Sequence, residues 1–161
     1  MERYKALARV LALDLHPRCF GYVVAEGQSK LLDWGVCSSR QKGVVSDVLV
    51  RKRLRLLIEL WRPVALVLHN PLKKSRRPNP KKDSLLERIV TEAKNRRIIV
   101  RVPVKPAEYQ GKILTKYENA RRVAEQFPVL MRELPPKRRA WESEHYRMSI
   151  FDAAALLFSQ R

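Results

Sequence analysis

The stretch VLALDLHPRCFGYVV, Val10 to Val24, constrains the fold more than any other part of this chain. From Ala6 to Leu13, ALARVLAL is almost continuously apolar, which is the pattern of a central strand buried on both faces. The run ends on Asp14, the chain turns at once, and a second apolar run, FGYVVAE, begins at Phe20. A carboxylate at the end of a buried strand is costly unless hydrogen-bond donors, a cation or a metal stabilise it. Asp14 is therefore the first candidate site residue, although an Asp also suits a turn by bonding its own backbone.

FGYVVAE and KLLDWGVC, joined by a short Gly-containing turn, predict a hairpin. Val44 to Trp61 predicts a helix, with Val45, Val48, Leu49, Leu56, Leu57 and Leu60 at helical spacing on its apolar side and Arg51, Lys52, Arg53 and Arg55 largely elsewhere. VALVLHN is a fourth strand. PLKKSRRPNPKK, with three prolines and six basic residues, is a loop. Asp83 or Ser84 caps a helix running to about Asn95. RIIVRVPV is a fifth strand, a helix covers about Lys116 to Gln126, and SIFDAAALLFSQ forms a last short helix. Three strands in a row followed by alternating helices and strands give a mixed α/β sheet, with an antiparallel meander and later strands joined by helical crossovers. With 161 residues, no repeat and no clear linker, residues 1–161 are expected to form one domain.

Lys and Arg total 34 against 16 Asp and Glu, a net charge of +18. A protein this basic most often meets a polyanion, with nucleic acid the commonest, ahead of an anionic membrane surface or a structural ribonucleoprotein role. No apolar run is long enough to cross a bilayer, and the N-terminal stretch lacks a signal-peptide pattern, so a cytoplasmic protein is expected. Cys19 and Cys37 cannot build a structural zinc site alone; across the expected hairpin they face each other, as free thiols in a reducing cytosol, with a disulfide the lesser alternative.

Several stretches carry a resemblance to one family: LALDLHPRCFGYVVAEG, LLDWGV, RPVALVLHNP and FDAAALL. In this order they resemble the ribonuclease H-like fold, and within it the RuvC family of Holliday-junction resolvases and their YqgF-type relatives. The resemblance implies a mixed five-stranded sheet flanked by helices. It also implies a two-fold homodimer and cleavage of branched DNA, favoured over RNA, with divalent metal, Mg2+ or Mn2+, held by converging carboxylates.

Position by position, Asp14 matches the family's first-strand acid and Asp152 the acid on its C-terminal helix. Ser149 to Asp152 also fits a capping box. Where the family has a Glu near the end of the fourth strand, this chain has His69 and Asn70, and where it has a fourth acid one turn before Asp152, the residue is Ser149. His can bind a transition metal, but it does not replace a carboxylate for magnesium. Glu142 and Glu144, with His145, lie just upstream of the last helix and can supply charge, or pair with the neighbouring KRR. Glu59, Glu87, Glu92 and Asp33 are expected on solvated faces.

Lys73, Lys74, Arg76, Arg77, Lys81 and Lys82 crowd the loop after the fourth strand, where they suit phosphate contact by counterion release. That loop has no aromatic for stacking on a base. Lys112 and Lys116 are similar to the family's Lys-bearing approach to its third helix, which implies contact near the scissile phosphate. Arg121, Arg122, Lys137, Arg138 and Arg139 extend the basic surface, while Trp34, Trp61 and Trp141 are expected in core or interface packing rather than as stacking platforms. Two functions follow: a metal-dependent junction endonuclease using Asp14 and Asp152 with help from His69 and Glu144, or a protein on that fold which binds DNA or structured RNA without cleaving it.

Overall fold

In the computed structural model, which describes residues 8–15, 19–27, 29–38, 47–68, 80–103, 108–109 and 112–158, the apolar run becomes β1 (Arg9–Leu15). Residues Leu11 to Leu15 are all buried, as a strand covered on both faces requires. β1 pairs antiparallel with β2 (Cys19–Glu26), which pairs antiparallel with β3 (Lys30–Ser38). Gly27, at φ 65°, supplies the left-handed residue in the turn between them.

α1 (Asp47–Trp61) returns the chain to β4 (Ala65–Leu68), which lies parallel to β1, and α2 (Pro80–Asn95) returns it to β5 (Ile99–Arg101), parallel to β4. Arg62 and Arg97, at φ 48° and 60°, make the left-handed turns that end these two helices. The sheet order is β3-β2-β1-β4-β5. A small antiparallel hairpin, β6 (Glu108–Tyr109) and β7 (Lys112–Ile113), precedes α3 (Lys116–Gln126). A 3-10 turn (Pro128–Glu133) and an irregular stretch lead to α4 (Met148–Phe158).

Strand alternation divides the core into two layers. Leu11, Leu13, Phe20, Tyr22 and Val24 face α1 and α2, packing on Val50, Leu54, Leu57 and Ile89. Ala12, Val23 and Val67 face α3 and α4, packing on Ala120, Ala124, Phe151, Ala153 and Ala154. The small residues of this second layer bring α4 close to the sheet. At about 25 cal/mol per Å2 of apolar surface, these two layers are the main stabilising contribution. The mixed five-stranded sheet and its flanking helices are as the sequence predicts.

Several details differ. The buried face of α1 carries Val50, Leu54, Leu57 and Ile58, whereas Val48, Leu56 and Leu60 are exposed. Both sets lie at helical spacing, and packing against the sheet selects the first; Val45 lies outside the described residues. α2 begins at Pro80, not at Asp83 or Ser84, because proline's missing N–H and fixed φ suit a first helical turn. Lys81 and Lys82 are therefore helical rather than in a loop. β5 is only three residues long. The hairpin register sets Cys19 opposite Ser38 and Cys37 opposite Phe20, so the cysteines are one position out of step and do not face each other.

Glu92 is not on a solvated face: it collects Arg55 at 2.7 Å and Arg51 and Arg96 at 3.7 Å, linking α1 to α2. Asp33 is half-buried and accepts a hydrogen bond from the Trp61 indole at 3.1 Å. No helix among the described residues is long and apolar enough to cross a membrane.

Candidate functional site

Because β1 and β4 run parallel, their carboxyl ends open on the same edge of the sheet, where Leu13 pairs with Leu68. In open α/β sheets that edge is where ligands bind. Asp14 stands there, on the α4 face, only 3% exposed. Opposite it in register is Gly21. A Cβ on Gly21 would lie 2.2 Å from the Ser149 carbonyl oxygen, so glycine alone admits the first turn of α4 against the sheet. Ser149 Oγ then lies 3.2 Å from Asp14 Oδ2 and 3.4 Å from the Asp14 backbone oxygen. The hydroxyl donor and the positive end of α4 help offset the burial of this carboxylate. Ser149 therefore serves Asp14 and does not cap α4, which corrects the capping-box alternative.

One turn further along α4, Asp152 Oδ2 meets Lys116 Nζ at 2.9 Å. The same ammonium pairs with Glu144. Lys116 occupies the first position of α3, which is fixed by a capping box: Thr115 Oγ accepts from the Glu118 N–H, and Glu118 Oε2 accepts from the Thr115 N–H at 2.8 Å. Burial pushes the Lys116 ammonium pKa down, but the hydrogen bonds and charges of Glu144 and Asp152 outweigh it, and the pKa ends above the ordinary lysine value. Lys116, Lys137, Arg138, Glu144 and His145 line a cleft of about 310 Å3 at this point.

The structure thus gathers Asp14, Ser149, Asp152, Lys116 and Glu144 along one helix end. Glu142 is held apart, its carboxylate accepting from the Arg139 N–H at 2.8 Å. Lys112 lies on β7, and Lys81 and Lys82 in the first turn of α2. His69, Lys73, Lys74, Arg76 and Arg77 lie outside the described residues. Trp34 and Trp61 pack at the edges of the two cores, whereas Trp141 is 78% exposed and belongs to neither core. Sequence reasoning also missed the service of Ser149 to Asp14. The Asp-Ala-Ala pattern pointed to α4, but nothing local marks a serine as the partner of a residue 135 positions away.

Among the described residues, no group of three or more His, Cys, Asp and Glu side chains is arranged to hold a metal ion. The donor set explains this. Asp14 meets a serine hydroxyl, and the two acids that approach each other, Glu144 and Asp152, already share an ammonium. These residues do not fit a two-metal carboxylate centre.

No family model and no curated protein matches the sequence. Solved structures do match in shape. Thermus thermophilus RuvC bound to a Holliday junction substrate superimposes with a TM-score of 0.67 at 19% identity, covering 94% of this chain and 92% of that one. The yeast mitochondrial Holliday junction resolvase Ydc2 gives 0.59 at 14% identity, covering 95% and 77%. The fowlpox virus Holliday junction resolvase gives 0.53 at 13%, covering 94% and 96%. The sheet order and its two helical layers give a ribonuclease H-like fold. In shape that fold is RuvC-like, at 13–19% sequence identity to these neighbours.

Proposed function

We propose that this chain binds branched DNA of the four-way-junction kind, as a RuvC-like homodimer that grips the phosphate backbone at the carboxyl edge of its sheet. One conjunction carries this reading: a RuvC-like fold over nearly the whole chain bears a net charge of +18. Lys116, Lys137 and Arg138 line the cleft beside Asp152. The substrate class is taken from the Thermus RuvC and fowlpox virus structures, both solved with Holliday junctions. Lys73, Lys74, Arg76, Arg77, Lys81, Lys82 and Lys112 are proposed to add backbone contacts, which bring affinity without sequence preference.

Phosphodiester cleavage is a second reading, favoured by the buried carboxylate of Asp14 at the sheet edge, one helical turn from Asp152 through Ser149. A metal-dependent form of it needs donors beyond those described, and His69 is the proposed addition.

The deciding experiment titrates labelled four-way junction, matched duplex and structured RNA across a salt series. It then incubates each with Mg2+, Mn2+ or EDTA beside Asp14→Asn. Junction binding tighter than duplex binding, with a steep salt slope, supports the first reading; equal affinity for duplex and junction overturns it. Metal-dependent cuts that vanish in Asp14→Asn establish the second. Tight binding with no cuts under any metal leaves a binding protein on a nuclease fold.

A further inference from the structure

We propose that Trp141, at the tip of a locked turn beside the cationic cleft, is a stacking platform for unpaired bases of a nucleic-acid strand. The inference rests on the proposed nucleic-acid binding for the class of its ligand, and on separate observations for its place.

The turn is built, not loose. The Glu142 N–H donates to the Arg139 carbonyl at 3.1 Å, closing a four-residue turn with Ala140 and Trp141 at its centre. The Arg139 N–H donates to Glu142 Oε2 at 2.8 Å, and the Arg138 guanidinium donates to the Glu142 carbonyl at 3.0 Å. These bonds hold Trp141 outward at 78% exposure. The Arg139 guanidinium lies 5.6 Å from the indole centroid.

Both flanks of the turn reach the cleft, Lys137 and Arg138 on one side and Glu144 and His145 on the other. A second ring extends the surface: Tyr146 is 53% exposed, stacks on His145 at 4.6 Å and has Arg147 at 5.8 Å.

This combination fits a nucleotide better than it fits an apolar partner. An indole offers a flat apolar face to any base, and an arginine on the ring adds the positive charge that the attached phosphate needs. A dry protein contact would desolvate the Arg139 guanidinium that lies over the indole. The basic stretch of sequence after β4, residues 71–79, holds no aromatic, so it offers no such stack.

The test is a fluorescence titration of the full chain with a short oligothymidylate. Trp34 and Trp61 are half-buried, so quenching reports mainly on Trp141. Saturable quenching is expected. Trp141→Ala should lose it and bind the oligonucleotide roughly tenfold more weakly, the scale of one lost base stack. Trp141→Phe should restore most of the affinity without the signal. Far-ultraviolet circular dichroism confirms that both variants fold.

Trp141→Ala binding as tightly as wild type overturns the proposal. So does a shift from dimer to monomer in the variant with oligonucleotide binding unchanged, which would make the ring a self-association contact. Fully paired junction is titrated in parallel. Junction binding with no Trp141 effect on the oligonucleotide fails this inference and keeps the junction reading, while the reverse fails the junction reading and keeps this one.

Discussion

The Ser149 hydroxyl lies 3.2 Å from Asp14 Oδ2 and ties the first turn of α4 to the end of β1, across a buried contact. Removing it with Ser149→Ala takes a donor from a carboxylate that water barely reaches. The expected loss is about 1–3 kcal/mol, the range for a buried polar group deprived of a partner. In a chain of this size each lost kcal/mol lowers Tm by about 2–4 °C. Urea and thermal unfolding check this; a variant as stable as wild type would mean that other donors already satisfy Asp14.

Gly21→Ala is expected to be worse. Its new Cβ would meet the Ser149 carbonyl oxygen at 2.2 Å, and backbone cannot swing aside as a flexible side chain can. α4 must move off the sheet, and the second core layer of Ala12, Val23, Ala153 and Ala154 opens with it. A loss of about 3 kcal/mol or more is expected, at the upper end of overpacking costs. Unfolding in urea measures it, and a midpoint near wild type would show that the approach of α4 does not depend on glycine.

How far these relationships were legible in the sequence depends on their range. β1 was legible because a doubly covered strand must be apolar throughout, and the hairpin because its turn carries Gly27. The buried phase of α1 was not, since Val48, Leu56 and Leu60 keep helical spacing as well as Val50, Leu54 and Leu57 do. Only the sheet decides between two such stripes. For the site, Asp14 and Asp152 could be singled out by their places on a strand and a helix. Their partners could not, because Lys116, Glu144 and Ser149 meet them only after α3 and α4 pack together.

Tyr22 makes a pH prediction. Burial raises the pKa of its phenol, and the Arg53 guanidinium, donating to the hydroxyl at 2.6 Å, pulls it part of the way back. The net value lies above the ordinary 10.0. A group whose pKa is raised on folding contributes stability that is fully present below its unfolded pKa and is lost as pH rises through its folded pKa. Wild type should therefore lose stability more steeply than Tyr22→Phe as pH climbs above about 10. Tm measured against pH for both chains, with tyrosinate absorbance followed alongside, provides the comparison. Equal slopes would mean that Tyr22 ionises alike in the folded and unfolded chain.

Lys116 is the cation that lets Glu144 and Asp152 stand together, with its Nζ 2.9 Å from Asp152. Lys116→Met keeps much of the side chain's bulk and removes the charge. All three groups keep some exposure, so the loss of stability should be small, about 1 kcal/mol, as for other ion pairs that water can screen. The two carboxylates then lose the ammonium they share, and a divalent cation is the simplest replacement for it. Millimolar Mn2+ should raise the Tm of Lys116→Met while leaving that of wild type unchanged, because a ligand stabilises only the state that offers it a site. The readout is thermal unfolding with Mn2+ or EDTA, and needs no activity. Equal stabilisation of wild type by Mn2+ would show that the metal binds elsewhere, or displaces the ammonium. In that case Lys116 would not be what keeps these acids from a metal.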